Sequence, residues 1–248
     1  MSLTGKKLLV TGAASGIGRA IALQAGKDGA IVIAADLSES GLDALKRELP
    51  QAVCVRADVT KVSDVDRMIA AAEGRLDVLC NNAGLMDRHM LVDELPEQEW
   101  ERVLAVNLTG PFLLCKRAVP LMVAHGGGSI INISSMAGIR GGRAGVAYTA
   151  SKHGLIGMTR NIAVTFGAQG VRCNAVCPGG TRHGALGAHE PGAVFSERGS
   201  RLLIGRDRDK PEPGTPEGIA SVVLFLADAA ASRVNGAVIT ADDASSAF

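Results

Sequence analysis

Charge of either sign is nowhere in excess in this sequence. Its 26 Lys and Arg residues nearly cancel its 25 Asp and Glu residues, leaving a formal charge of +1. That balance argues against a nucleic-acid partner, whose phosphate backbone wants a strongly positive surface. Disulfide and metal patterns are lacking as well. The five cysteines, Cys54, Cys80, Cys115, Cys173 and Cys177, are irregularly spaced and lie mostly in apolar runs. Cys173 and Cys177 stand four apart without a histidine or a second cysteine pair, so reduced, buried thiols are expected rather than zinc. Long hydrophobic runs are missing: charge or glycine interrupts each one short of the roughly 18–20 residues that span a bilayer. A strand-like run begins by residue 7, which leaves no room for the apolar stretch of a signal peptide. The expectation is a cytoplasmic protein with no membrane and no nucleic-acid partner.

What the chain has is a rhythm. Its 248 residues, 47 % of them hydrophobic, suffice for one α/β domain with a sizeable core. Short apolar strands are expected at Lys7–Val10, Ala30–Ala34, Ala52–Val55, Leu76–Cys80, Ser129–Ile133, Arg172–Val176 and Ala237–Thr240. Helical patterns separate them at Ile17–Lys27, Glu39–Glu48, Val62–Ala72, Glu97–Ala124, Val146–Phe166 and Pro216–Leu226. Uninterrupted apolar strands alternating with helices predict a doubly wound, seven-stranded parallel sheet of Rossmann type, with helices on both faces. The whole of 1–248 reads as this one domain. Only the segment at about 184–215 breaks the rhythm, with glycines, prolines and the charged run Arg206–Lys210, and reads as a substrate-binding loop or lid.

The sharpest local signal is Thr11-Gly12-Ala13-Ala14-Ser15-Gly16-Ile17-Gly18, directly after the first strand and opening a helix. Gly12 permits the tight turn, Gly16 lets backbone approach a pyrophosphate, and Gly18 lets the helix pack closely, while the helix start offers unpaired N–H groups. Asp36 ends the second strand, 18 residues beyond Gly18, where a carboxylate accepts from the ribose hydroxyls of an adenosine. It would repel a 2′-phosphate, and neither Ser15 nor the stretch Leu37-Ser38-Glu39-Ser40 supplies a compensating base. NAD is therefore the expected cofactor. Asp58 and Val59 are placed for an adenine edge and face, although Asp58 reads equally well as a helix cap. Asn81-Asn82-Ala83-Gly84 closes the fourth strand with small and amide residues that let backbone pass beside a cofactor, or form a simple Asx turn.

Tyr148, the only tyrosine, and Lys152 stand four apart and so share a helix face. An ammonium beside a phenol favours the phenolate and makes it a serviceable acid or base, although such a pair is also an ordinary surface contact. Ser134 and Ser135 close the fifth strand, where a hydroxyl either donates to a carbonyl oxygen or caps a turn. Asn107, a polar amide between Val106 and Leu108, needs a partner, and a water serving Lys152 is one.

Together these residues resemble a classical short-chain dehydrogenase/reductase along nearly the whole chain. The matching pieces are TGAASGIG at 11–18, DV at 58–59, NNAG at 81–84, Asn107, Ser135, YTASK at 148–152 and PG at 178–179, with 13 residues from Ser135 to Tyr148. The resemblance implies that Tyr148 is the general acid/base and that Lys152 binds the nicotinamide ribose and lowers the tyrosine's pKa. It further implies that Ser135, rather than Ser134, polarises the carbonyl oxygen and that Asn107 holds a proton-relay water. Pro178, Gly179 and Thr181 fall on the family's nicotinamide loop. A homotetramer, or less often a dimer, is implied through the two helices holding Asn107 and Tyr148.

Two departures stand out. His183 occupies the position where the family usually has threonine, and Ala241-Asp242-Asp243-Ala244 replaces the usual Asp-Gly-Gly, so a glycine-dependent turn is expected to rearrange. The activity so implied is hydride transfer between NAD(H) and a secondary alcohol or ketone. The alternatives are a 3-oxoacyl-thioester reductase, against which Asp36 argues, and a dinucleotide-binding sensor or scaffold without turnover. Residues expected to face the substrate include Met86, Arg88, His89, Arg140, Arg143, His183, Leu186, His189, Phe195 and Leu202, a mixture that could hold a carbonyl compound bearing a carboxylate or several hydroxyls, although loop arginines usually face solvent and a neutral cyclic or aliphatic alcohol is the expectation.

Overall fold

The computed structural model describes residues 3–182, 194–204 and 213–246. Seven strands, β1 (Lys7–Thr11), β2 (Ile31–Asp36), β3 (Val53–Arg56), β4 (Val78–Asn81), β5 (Gly128–Ile133), β6 (Val171–Pro178) and β7 (Val238–Ala241), form one sheet. Its order is β3-β2-β1-β4-β5-β6-β7, and every pairing is parallel. The fold is the expected single Rossmann-type α/β domain.

Strand side chains alternate between two faces, and each face has its own core. Leu8, Val10, Val32 and Ala34 pack with Ile21 and Ala25 of α1 (Gly16–Lys27), Leu42 and Leu45 of α2 (Glu39–Glu48), and Val223 and Leu224 of α8 (Pro216–Ala227). Leu9, Ile33, Leu79 and Ile130 face the other way. They meet Val65 and Met68 of α3 (Val62–Ala70), Leu114 and Met122 of α5 (Gly110–Ala124), and Ile162 of α6 (Val146–Phe166). All five cysteines are free thiols, and four of them are buried.

The long helical pattern from residue 97 is not continuous. It runs as α4 (Glu97–Leu104), a π turn (Ala105–Thr109) and α5, with buried Asn107 at the centre of the π turn. A π turn inside an α-helix is a common mark of a functional site. Within the segment expected to be a lid, the described part is a helix, α7 (Glu197–Ile204). Its amphipathic spacing is short and flanked by glycines and charges, which mask it in the sequence; residues 184–193 and 205–212 of that segment lie outside those described.

Candidate active site

The sheet order reverses between β1 and β4, which opens a crevice at the carboxyl ends of those strands. Asn82 stitches the switch point together. Its Nδ2 donates to the Thr11 carbonyl at 2.9 Å, and the Asn82 and Ala83 amides both donate to Thr11 Oγ1 at 3.1 Å. The glycines beside it have no room for a side chain. A Cβ on Gly12, which sits at φ +68°, would lie 2.8 Å from Asn82 Nδ2, and one on Gly18 would lie 2.1 Å from the Gly12 carbonyl. Ser15 precedes α1 without capping it, and no acidic residue occupies the helix's first turn. The positive end of that dipole therefore faces the crevice, where Gly12, Ser15, Gly16 and Ile17 form the wall.

One cavity of about 1010 Å³ runs from these glycines to Tyr148. Asp36 and Leu37 line one end, followed by Asp58, Val59, Asn82, Ala83 and Gly84, then Ser135, Lys152, Pro178, Gly179 and Thr181. Asp36 is held by two backbone amides: Ala14 N–H donates to Oδ2 and Ser38 N–H to Oδ1, each at 2.9 Å. Both oxygens keep a lone pair for a further donor. The fold brings up one basic neighbour that chain order hid. Arg56 is Asp36's partner across β2 and β3, and its guanidinium lies 3.8 Å from Glu39. Asp58 accepts from the Thr60 amide and hydroxyl, an Asx turn, while the residue capping α3 is Lys61.

At the other end Tyr148 and Lys152 are both 2 % exposed. Lys152 Nζ donates to the Ile133 carbonyl at 2.8 Å and sits 5.5 Å from the centre of the Tyr148 ring. Burial lowers the Lys152 pKa to about 8, with the Cys177 thiol opposing. Burial raises that of Tyr148; Ser135 opposes this shift, and Asp87 and Cys177 add to it. The Lys152 ammonium is not among the groups that shift it, and its Nζ points at the Ile133 carbonyl. Among the described residues no hydrogen bond to the Tyr148 hydroxyl is fully formed.

Both serines line the cavity, but the hydroxyl of buried Ser134 donates to the Lys152 carbonyl at 3.1 Å, whereas Ser135 Oγ accepts from the Ala137 amide at 3.1 Å. Asn107 spends both amide protons within the protein, on the Leu85 carbonyl and on Ser151 Oγ. Its side chain therefore has no proton left for a relay water. Thr181 turns its hydroxyl back onto the Gly179 carbonyl at 3.3 Å, and His183 lies outside the described residues.

Of the residues expected near the substrate, Met86 and Arg143 line the cavity, together with Met136, Ala144 and Leu203. His89 and Phe195 instead stack on each other, with ring centroids 4.9 Å apart, and Arg140 donates to the Ser246 carbonyl. None of these three lines the cavity, and neither do Arg88 and Leu202. Leu186 and His189 are outside the described residues. Three wall residues, Asp242, Asp243 and Ser245, come from the C-terminal turn, which the departure at 241–244 marked as a turn but not as part of the cavity.

The comparisons with known proteins agree with this geometry. Residues 12–243 match the family model described as enoyl-(acyl carrier protein) reductase. The chain is 41 % identical over 247 residues to the short-chain dehydrogenase/reductase olcF of Penicillium canescens, covering 96 % of this chain and 95 % of that protein. The chain belongs to the classical short-chain dehydrogenase/reductase family. It is 38 % identical to the 3beta-hydroxysteroid dehydrogenase 2 of Eggerthella lenta, covering 99 % and 96 % of the two. The crystal structure of levodione reductase superposes with a TM-score of 0.88 at 33 % identity, covering 99 % of each chain. A chain from Beutenbergia cavernae, solved with NADP bound at low occupancy, does so at 0.87 and 34 %, covering 100 % and 99 %. As a family member the chain is an oxidoreductase of a nicotinamide dinucleotide and a small molecule. Among the described residues no helix is long and apolar enough to cross a membrane.

Proposed function

We propose that this short-chain dehydrogenase/reductase is NAD-dependent and interconverts a secondary alcohol and a ketone. The observation that carries this reading is the cavity itself, which has Asp36 at one end and Ser135, Tyr148 and Lys152 at the other. The glycine cradle at 12–18 fits a pyrophosphate, since any Cβ on Gly12 or Gly18 would collide with the wall. A carboxylate with two spare lone pairs fits paired ribose hydroxyls and repels a 2′-phosphate. Bound NAD supplies the hydride acceptor, and NADH the donor.

The chain's own residues handle the proton. In reduction Ser135 Oγ donates to the substrate oxygen while the Tyr148 hydroxyl delivers its proton there; in oxidation the phenolate takes that proton back. Lys152 stands beneath the tyrosine ring, placed for the nicotinamide ribose. The apolar wall of Met86, Met136, Ala144 and Leu203 suits a neutral cyclic or aliphatic substrate. The segment at 184–215 serves as the lid, with α7 as its docked part. Exposed Phe112 on α5 and Val164 on α6 support a homotetramer joined through those helices.

NADH absorbance, followed with a panel of secondary alcohols, cyclic ketones and a 3-oxoacyl thioester, tests the reading. Turnover of an alcohol or ketone is expected with NAD, and Tyr148→Phe should cut it by about 10²–10⁴ while NAD still binds. Turnover of the thioester with NADPH alone would replace this reading by the reductase one. NAD binding with no turnover of any panel member would point to a sensor.

A further inference from the structure

Helix α7 is short and carries a glycine in its middle, a residue that weakens a helix relative to alanine. That glycine, Gly199, is buried against the loop after β4. A Cβ on it would overlap the His89 carbonyl oxygen, a backbone atom held in place by its own turn. Helix and loop therefore meet backbone to backbone, closer than any side chain allows.

The receiving turn is tightly built. Met90 N–H donates to the Asp87 carbonyl at 3.0 Å, and the residues between them, Arg88 and His89, have φ of +54° and +60°. The Arg88 carbonyl accepts the Ser196 amide at 3.0 Å, beside the His89 carbonyl that faces Gly199. Ser196 Oγ donates to Glu94 at 2.7 Å and accepts the Gly199 amide at 2.9 Å, as a helix cap does. Arg198 pairs with Asp93 at 2.8 Å, and His89 Nδ1 meets Ser200 Oγ at 3.2 Å. The other side of the turn seats the catalytic helix. Helix α6 has Gly145 as its N-cap, which has no side chain to offer; Asp87 Oδ2 accepts the Tyr148 N–H at 2.9 Å and the Met90 carbonyl accepts the Val146 N–H at 3.1 Å. One turn thus sets α7 relative to Tyr148. Leu203, four residues beyond Gly199 and on the same helix face, lines the cavity.

We propose that Gly199 is a specificity-determining position: its missing side chain sets how low α7, and with it Leu203, sits over the substrate end of the cavity. A side chain at 199 pushes off the His89 carbonyl, raises the Leu203 roof and shifts preference from single-ring to bulkier fused-ring ketones. The inference rests on the ketone reading above.

Calorimetry on the NAD complex tests it, because NAD cannot reduce a ketone and binding is read without turnover. The probes are cyclohexanone and the fused bicyclic decalone. In Gly199→Ala the ratio of their dissociation constants should shift towards decalone by about tenfold, the scale of a methylene in an apolar pocket, with NAD affinity unchanged. Ser196→Ala, which removes the cap and the Glu94 bond, should shift the ratio the same way if the glycine variant folds poorly. Arg201→Ala, on the exposed face of α7, should not. A purely structural role would quicken amide hydrogen exchange over 196–204 and leave the ratio alone. An unchanged ratio in folded Gly199→Ala, with both ketones bound by wild type, overturns the proposal and spares the ketone reading. Wild type that binds neither ketone sinks that reading, and the specificity role with it.

Discussion

Asn107 and the backbone of Leu85 exchange two hydrogen bonds. Leu85 N–H donates to Asn107 Oδ1 at 2.8 Å, and Asn107 Nδ2 donates to the Leu85 carbonyl at 2.9 Å. A side-chain amide here closes the same ring that two paired backbones would. It ties the loop after β4 to the π turn between α4 and α5, and a third bond at 3.1 Å reaches Ser151 on the catalytic helix. Three elements that build the cavity meet at one side chain.

Asn107→Ala should therefore act on stability before it acts on chemistry. It strands the buried Leu85 N–H and C=O, and each such group costs about 1–3 kcal/mol. Urea denaturation should show a loss of roughly 2–4 kcal/mol, with Asn107→Asp no milder, because its carboxylate keeps the Leu85 N–H but meets the Leu85 carbonyl as a buried charge. A variant as stable as wild type would contradict the bracing role.

Cofactor choice should follow Asp36. Asp36→Ala combined with Leu37→Arg removes the repelling carboxylate and adds a guanidinium able to pair with a 2′-phosphate. Arg56, whose guanidinium lies 3.8 Å from the exposed Glu39, then becomes a second phosphate partner. The ratio of kcat/KM for NAD over NADP should fall by at least tenfold, about 1.4 kcal/mol, in the double variant. Comparable wild-type efficiency with both cofactors would contradict the assignment.

How much of this was legible in the sequence depends on the range of each interaction. The seven strands and helices on both faces of a parallel sheet follow from local periodicity, and the strands lie within a few residues of the expected runs. Of the motif residues, Gly12 and Ser15–Ile17, Asp58 and Val59, Asn82–Gly84, Ser135, Tyr148 and Lys152 line one cavity because each is fixed by its place at a strand end or helix start. What the sequence hid was long-range. Asp87 caps a helix 61 residues away from it along the chain, and no pattern links it to Gly145. Arg56 meets Asp36 only through strand register. The π turn around Asn107 was invisible because its residues suit an α-helix equally well. Likewise, the sign of the Tyr148 shift needed the burial that only packing decides.

The depressed Lys152 pKa has a consequence for stability against pH. Its folded value is about 8 against an ordinary 10.5. Below both values folded and unfolded chains hold the proton, and the native state carries the full cost of a buried ammonium. Between them the unfolded chain binds one proton more, so stability rises with pH. Lys152→Met lacks this contribution. The unfolding free energy of wild type minus that of Lys152→Met should climb from about pH 8 to about pH 10 in urea titrations. A flat or falling difference would mean that Lys152 keeps its charge in the folded protein.

The C-terminal turn carries the last prediction. Asp243 and Ala244 have φ of +48° and +63°, and the Ser245 amide closes the turn onto the Asp242 carbonyl at 2.9 Å. Two left-handed central residues define the mirror-image turn that favours Asp-Gly or Asn-Gly. The expected rearrangement has not removed the left-handed conformation; the chain adopts it with alanine where glycine is unstrained. Aspartate tolerates that region through local hydrogen bonding, whereas alanine carries the Cβ clash of about 1–2 kcal/mol. The strain persists because the turn is clamped. Arg143 donates to the Ser245 carbonyl at 3.1 Å, Arg140 to that of Ser246 at 2.9 Å, and Ser245 Oγ to Asp242 Oδ2 at 3.1 Å. Ala244→Gly should relieve the clash at a small entropic cost, for a net gain of roughly 0.5–1 kcal/mol. In a chain of this size that raises Tm by about 1–4 °C. Ala244→Val should do the opposite, because a β-branched residue suits φ > 0 least of all. Thermal denaturation of the three proteins in parallel decides the matter: a glycine variant no more stable than wild type would show that the left-handed pair is not strained.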